Sequence, residues 1–142
     1  MLDLLIRNGW VADGTGNPIR LADVAIQGDR IVDVGRLDGA EAADIIDATG
    51  KIVCPGFVDA HSHSDATILA NPTAESTIHQ GITTEVVGNC GMSAAPSTAE
   101  ARAGGAGGFG SFEGVEVPPC GLGEFLDLLA RAGTSSNLAW LL

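Results

Sequence analysis

The feature that most constrains this sequence is a strand–helix–strand succession between residues 51 and 88. Lys51-Ile52-Val53-Cys54-Pro55-Gly56-Phe57-Val58-Asp59-Ala60 is a nearly continuous apolar run. It predicts a strand buried on both faces. Asn71 suits a helix N-cap, Pro72 the first turn and Gly81 the C-terminal stop, so a helix is expected between them. Ile82-Thr83-Thr84-Glu85-Val86-Val87-Gly88 then predicts a second strand. Two strands joined through a helix run parallel, because a short turn cannot return the chain to the same end. A βαβ unit follows.

The preceding residues have a different texture. Leu4-Leu5-Ile6 and Trp10-Val11-Ala12 flank Asn8-Gly9, a two-residue hairpin signal. Asp13-Gly14-Thr15-Gly16-Asn17-Pro18 reads as a loop. Asp23-Val24-Ala25-Ile26 and Ile31-Val32-Asp33-Val34 flank Gly28-Asp29 and predict a second hairpin, and Ile45-Ile46-Asp47-Ala48 runs into a turn at Thr49-Gly50. Short strands without a helical period imply a small antiparallel sheet or sandwich. Beyond the βαβ unit, Ser97 to Gly114 is rich in Gly, Ala and Ser and predicts a long flexible loop centred on 104–110. Gly123 to Arg131 has helical spacing and closes at Gly133, and Asn137-Leu138-Ala139-Trp140-Leu141-Leu142 reads as a third apolar strand. The sequence contains no internal repeat.

Composition narrows the partners. With 142 residues the chain is long enough for one ordinary domain. It is too short for a complete (β/α)₈ barrel, which needs roughly 250 residues. Acidic groups outnumber basic ones 18 to 7, for a formal charge of −11. Phosphate recognition relies on Lys and Arg, so neither nucleic acid nor an anionic membrane is the expected partner. Aromatic residues are only 4% and include no Tyr, which disfavours a base-stacking surface. The N-terminus reads as neither a secretory leader nor a membrane helix, which needs ~18 apolar residues. Cys54, Cys90 and Cys120 are an odd number at wide spacings, so a reducing, cytoplasmic setting is expected rather than a disulfide framework.

The sharpest chemical feature is Asp59-Ala60-His61-Ser62-His63-Ser64-Asp65. Residues i and i+2 of a strand point to one side about 6.6 Å apart, so His61 and His63 can meet at one metal ion. Imidazole suits zinc and similar divalent ions. The plainer reading is two surface histidines on a loop. Their position at the carboxyl end of a buried strand favours a site, since parallel α/β folds place sites there. Val87-Gly88-Asn89-Cys90-Gly91-Met92 ends the second strand at the same sheet edge, so Cys90 can join the histidines. Taken alone, Cys90 would read as a small buried hydrophobe.

Other candidates carry less. Gly105-Ala106-Gly107-Gly108-Phe109-Gly110 matches G-x-G-x-x-G in letters, but no strand precedes it and no helix follows, so a dinucleotide site is not expected. Cys54, mid-strand, and Cys120, in a Pro-Gly loop, read as structural. His79 reads as a packing or surface residue. Asp65 reads as a solvated loop acid rather than a group orienting a histidine. Glu85, within an apolar strand, needs a partner that the sequence does not name.

At these motifs the chain resembles the N-terminal portion of the amidohydrolase superfamily, and more narrowly the N-acyl-D-amino-acid deacylases. The broad resemblance rests on Pro55-Gly56-Phe57-Val58-Asp59-Ala60-His61-Ser62-His63. The narrow one rests on Gln80-Gly81-Ile82-Thr83-Thr84-Glu85-Val86-Val87-Gly88-Asn89-Cys90-Gly91 and Ser93-Ala94-Ala95-Pro96. Ile6-Arg7-Asn8-Gly9, Asp13-Gly14-Thr15-Gly16 and Ile46-Asp47-Ala48-Thr49-Gly50 extend it to the opening of the chain. The resemblance implies an α/β architecture: a β-sandwich segment over residues 1–52, then the first strands and helices of an incomplete TIM (β/α)₈ barrel over 53–142. It implies His61, His63 and Cys90 as zinc ligands and a small-molecule N-acyl-D-amino acid as substrate. The expected reaction is hydrolysis of the substrate amide to a carboxylate and a free D-amino acid. The catalytic aspartate and two further histidines of the family have no counterpart here and are expected beyond Leu142, so residues 1–142 alone are expected to be inactive. Two rivals remain: another amidohydrolase activity, such as cyclic-amide hydrolysis or deamination, and a non-catalytic truncated gene product.

Overall fold

The computed structural model describes residues 1–103, 111–112 and 115–142. The chain divides into two compact units, Met1–Pro55 and Gly56–Leu142.

In the first unit, β1 (Leu2–Val11) pairs antiparallel with β2 (Arg20–Gln27), which pairs antiparallel with β3 (Arg30–Gly35). β4 (Ala42–Asp47) and β5 (Ile52–Val53) add in parallel along the other edge of β1. The sheet is therefore mixed, not antiparallel as the strand spacing implied. The hairpin over Gly28-Asp29 forms as expected, with Gln27 opposite Arg30. The hairpin over Asn8-Gly9 does not. β1 runs straight through that pair, and its register to β2 shifts between Ile6 and Gly9, as in a β-bulge.

The reason is tertiary. On the far edge, the Trp10 and Ala12 N–H groups donate to the Lys51 and Val53 carbonyls, both at 2.9 Å, and the Ala48 N–H donates to Arg7 O at 2.8 Å. Continuing the strand satisfies more backbone groups than reversing it. Asn8 takes the left-handed backbone (φ 61°) that its type tolerates, and its N–H donates to Asp23 Oδ1 at 2.9 Å. Gly9 is required because a Cβ there would overlap the Val53 side chain. Val11, Ala22 and Val24 are buried, with Ile6, Ile26, Val34 and Val53 packed against them.

The second unit contains β6 (Phe57–Asp59), α1 (Glu75–Ile78), β7 (Ile82–Val87) and α2 (Ala99–Ala103). They are followed by a small antiparallel ribbon, β8 (Ser111–Phe112) with β9 (Val115–Glu116), then α3 (Leu122–Ala132) and β10 (Asn137–Trp140). β7 lies between β6 and β10, parallel to both, which is the expected parallel sheet.

Three expectations need correction. The apolar run from Lys51 to Ala60 is two short strands in different sheets, separated by Cys54-Pro55-Gly56. Pro55 has no N–H to place in a ladder. Nor is β6 buried on both faces: Phe57 is 56% and Val58 62% exposed, and no β6 residue belongs to the core cluster. Helix α1 begins at Glu75, because Ala74 takes a left-handed backbone (φ 43°) and the stretch after Asn71 closes as turns. The stretch from Ser97 to Gly114, expected as one loop, contains helix α2 and strand β8, while residues 104–110, the centre of that expectation, and 113–114 lie outside the described residues.

The core gathers Ile68, Ala74, Ala94, Ala95, Val117, Phe125 and Leu129, with Leu138 and Trp140 of β10 packed on it. Phe125 and Leu129 are four residues apart and so share one face of α3. Phe125 meets Trp140 edge to face, with centroids 5.3 Å apart. The Trp140 indole N–H donates to Ser93 Oγ and Ala95 O, both at 2.9 Å, so its one polar atom is satisfied. At the start of α3 the Gly121 N–H donates to Glu124 Oε2 at 2.8 Å.

Two outcomes follow. Phe125→Ala is expected to cost about 3–5 kcal/mol, read from urea unfolding, because it empties the centre of this cluster; a loss below about 1 kcal/mol would show that the site collapses around the gap. In the first unit, hydrogen bonds from the Asn8 N–H and the Leu37 N–H hold the Asp23 carboxyl below its ordinary value of 3.8. A carboxyl depressed on folding contributes stability above its unfolded value, and that contribution disappears as pH falls through the folded one. Asp23→Asn should therefore flatten the loss of urea resistance below about pH 4 relative to wild type, and an unchanged acid slope would refute this assignment.

Candidate metal centre

β6 ends at Asp59, paired in register with Glu85 of β7. The chain then turns: the His61 N–H donates to Asp59 Oδ1 at 3.0 Å, an Asx turn that starts the reversal. The Ser62 N–H donates to Val86 O at 2.9 Å, so this turn stays bonded to β7. His61 and His63 thus sit on a turn beyond the strand, not on the alternating positions of a strand. They nonetheless come together, with ring centroids 5.6 Å apart and planes at 64°.

Cys90 lies on the turn that follows β7. Gly88 (φ 81°) begins it, and a Cβ there would overlap the carbonyl oxygen of Leu141, which follows β10. Cys90 itself has a left-handed backbone (φ 60°, ψ 23°). That conformation is costly for a residue with a Cβ and persists only where the surroundings impose it. Asn89 imposes it here. Buried at 8% exposure, its Nδ2 donates to Ser62 O at 3.1 Å and Val86 O at 2.8 Å, clamping the cysteine turn to the histidine turn.

The result is a cluster of three donors. One ligand atom each from His61, His63 and Cys90 lie within 4.8 Å of one another, and His61 Nε2 is 3.2 Å from Cys90 Sγ. Zinc–nitrogen bonds of about 2.0–2.1 Å and zinc–sulfur bonds of about 2.3 Å in a tetrahedron put donors roughly 3.3–3.8 Å apart. The His61–Cys90 separation is close to that range and the other donors lie within 4.8 Å, and two imidazoles with one sulfur are donors that suit zinc. His61 and Cys90 are exposed and His63 half-buried, so the donors open toward solvent.

Two carboxyl groups lie behind these turns. Asp65 is 1% exposed, not a solvated loop acid. Its Oδ2 accepts the Ala94 N–H at 2.8 Å, and its Oδ1 has no hydrogen-bond partner among the described residues. Burial pushes its carboxyl above the ordinary value, opposed by the Ala94 hydrogen bond and more weakly by the charge of His63. Glu85, 2% exposed, finds two partners: Ser62 Oγ donates to Oε2 and Ser136 Oγ to Oε1, each at 2.8 Å. The roles of Asn89 and Ser62 were not legible in the sequence, whose only signal was their place inside the two motifs.

The remaining candidates are not members of the three-donor cluster. Cys54 is exposed, and it follows β5 rather than lying mid-strand. Cys120 is half-buried and packs on the core. His79 is exposed at the end of α1. Gly105–Gly110 lies outside the described residues.

Residues 44–109 match the amidohydrolase family. An N-acyl-D-glutamate deacylase of Alcaligenes xylosoxydans xylosoxydans is 52% identical over 96 residues, covering 68% of this chain and 20% of that protein. The crystal structure of N-acyl-D-glutamate deacylase from Bordetella bronchiseptica is complexed with zinc and a phosphonate mimic of the tetrahedral intermediate. It superposes with a TM-score of 0.79 at 38% identity, covering 99% of this chain and 29% of that one. A D-aminoacylase crystal structure gives a TM-score of 0.80 at 34% identity, covering 100% and 30%. The chain spans only 19–20% of the length of the first curated relatives it matches. Within that span, in sequence and in fold, the chain is similar to the D-aminoacylase-like amidohydrolases.

Proposed function

We propose that the protein carrying this chain hydrolyses the amide bond of N-acyl-D-amino acids, with His61, His63 and Cys90 holding the zinc that the reaction requires. The observation that carries the reading is the convergence of those three donors within 4.8 Å, at the end of two parallel strands. The N-acyl-D-glutamate deacylase similarity and the zinc complex of a solved relative support the same chemistry.

Zinc in such a site supplies Lewis acidity, lowering the pKa of a bound water toward ~7 and polarising an acyl carbonyl. The chain's own residues do the positioning. His61 and His63 would offer imidazole nitrogens, and Cys90 a sulfur, to that ion. The Asn89 clamp holds the strained Cys90 turn against the Ser62 backbone, so the donors are gathered before any ligand arrives. Exposure of His61 and Cys90 leaves an approach open to a small acylated amino acid.

The proton delivered to the departing amine needs a positioned acid. We assign that role to an aspartate outside residues 1–142, in keeping with the resemblance. We likewise read residues 1–52 as a β-sandwich segment and residues 53–142 as the start of a (β/α)₈ barrel. The parallel order of β6, β7 and β10 supports the barrel reading, because successive parallel strands are how such a barrel begins. On this reading a polypeptide of residues 1–142 alone shows no appreciable deacylase activity.

Metal analysis tests the ligands. Full-length wild-type protein is expected to carry zinc, and Cys90→Ala to lose most of it. Deacylase activity should then fall by at least about 100-fold, beyond the 10–100-fold typical of groups that only orient a ligand. Unchanged zinc and activity would remove Cys90 from the site. A substrate panel tests the reaction: N-acetyl-D-glutamate, N-acetyl-D-aspartate and N-acetyl-D-methionine against a cyclic ureide and an aminopurine. Turnover confined to the last two would replace this reading with cyclic-amide hydrolysis or deamination.

A further inference from the structure

We propose that Glu85 is a positioning residue for the His61/His63/Cys90 site, acting through Ser62 to set the histidine turn relative to the cysteine. The inference rests on the metal-site reading above and goes beyond it by assigning a buried carboxyl group that the proposed reaction leaves idle.

Glu85 is an unusual occupant of its position. It sits in the middle strand of a parallel sheet, 2% exposed, between Thr84 and Val86. A carboxyl group costs free energy in such a place unless its oxygens are satisfied, and an apolar residue would pack there without that demand. Both oxygens are satisfied, each by one serine hydroxyl at 2.8 Å. The two serines belong to different parts of the unit. Ser136, itself 3% exposed, immediately precedes β10, whereas Ser62 is the residue between the two histidines.

Ser62 is held at every polar atom. Its N–H donates to Val86 O at 2.9 Å, its carbonyl accepts from Asn89 Nδ2 at 3.1 Å, and its hydroxyl donates to Glu85. The same hydroxyl oxygen accepts the Ser64 N–H at 3.2 Å. Glu85 therefore fixes the hydroxyl rotamer of Ser62, and through the Ser64 N–H it fixes the backbone on the far side of His63. The backbone bonds of Ser62 hold one side of the turn, and the Glu85 bond holds the other. Without it, His63 keeps its attachment to the chain but loses a support that orients it toward Cys90. Groups that orient ligands in this way typically change metal affinity by 10–100-fold when removed.

The test compares metal affinity with folding in the full-length protein. Metal-free wild type, Glu85→Ala, Glu85→Gln, Ser62→Ala and Ser136→Ala are titrated with zinc against a chromophoric chelator. Each is also titrated with cobalt, whose visible spectrum reports ligand geometry, and unfolding midpoints are recorded without metal. Glu85→Ala is expected to weaken zinc by about 10–100-fold and to alter the cobalt spectrum. Glu85→Gln, which can still accept one hydroxyl and donate to the other, should restore most of the affinity. Ser62→Ala should weaken zinc by about 10-fold. Ser136→Ala, which removes the bond to the Glu85 oxygen that Ser62 does not use, should lower the unfolding midpoint and leave zinc affinity within about threefold of wild type.

Equal zinc affinity and unaltered cobalt spectra in Ser62→Ala and Glu85→Ala would overturn the proposal and leave the metal site standing, with Glu85 merely part of the fold. If Glu85→Ala does not fold, Ser62→Ala against Ser136→Ala decides alone, and matched affinities in those two would overturn it. Wild-type protein that binds neither metal would overturn the metal-site reading itself and this inference with it.

Discussion

Where β6 and β7 pair in parallel, with Asp59 opposite Glu85, their following turns leave the sheet at the same edge. That alignment is what lets a histidine pair and a cysteine 27 residues beyond His63 share a few ångströms of space. An antiparallel pairing would send the two turns to opposite ends of the sheet. Everything local then serves to hold the alignment. The Ser62 N–H stays bonded to Val86 after β6 has ended, and Asn89 reaches back from the second turn to the first. Hydrogen bonds between backbone and buried side chains thus hold the two turns together without a disulfide or a longer strand.

The cost of this arrangement is concentrated in the two turns. Cys90 adopts a left-handed backbone that disfavours any residue with a Cβ, and Gly88 is confined by the Leu141 carbonyl. Asp65 and Glu85 are buried carboxyl groups beneath the same turns, and only Glu85 has both oxygens satisfied among the described residues. Strain and buried polarity collect at sites because a site needs donors held away from their most comfortable conformations. The stability that offsets them lies in the apolar cluster around Phe125, Leu129 and Trp140, which packs α3 against β10.

Burial also explains why Asp65 and Glu85 were the hardest residues to interpret from their neighbours in sequence. Asp65 follows two histidines and two serines, a polar context that suggests a solvated loop, yet the turn after His63 folds it inward onto Ala94. Glu85 stands in an apolar strand with its partners 23 and 51 residues away. No local pattern encodes a hydrogen bond across that separation. Asn8-Gly9 failed as a hairpin signal for a related reason: β4 and β5 offer the outer edge of β1 more backbone partners than a turn would.

The amino-acid sequence by itself determined the strands with clear apolar character, the amphipathic helix at Leu122–Ala132, the parallel sense of β6 and β7, and the residue types able to bind a metal. These are properties of short stretches, because periodicity, capping and turn chemistry act over a few residues. Only the tertiary structure decided that β1 continues through its turn-like pair, that β5 and β6 lie in different sheets, and that Asp65 is buried. It alone brought Ser62, Glu85 and Ser136 into one hydrogen-bonded line beneath the histidines. Each of those outcomes depends on which distant backbone or hydroxyl group a residue meets, and that is fixed by packing rather than by neighbours along the chain.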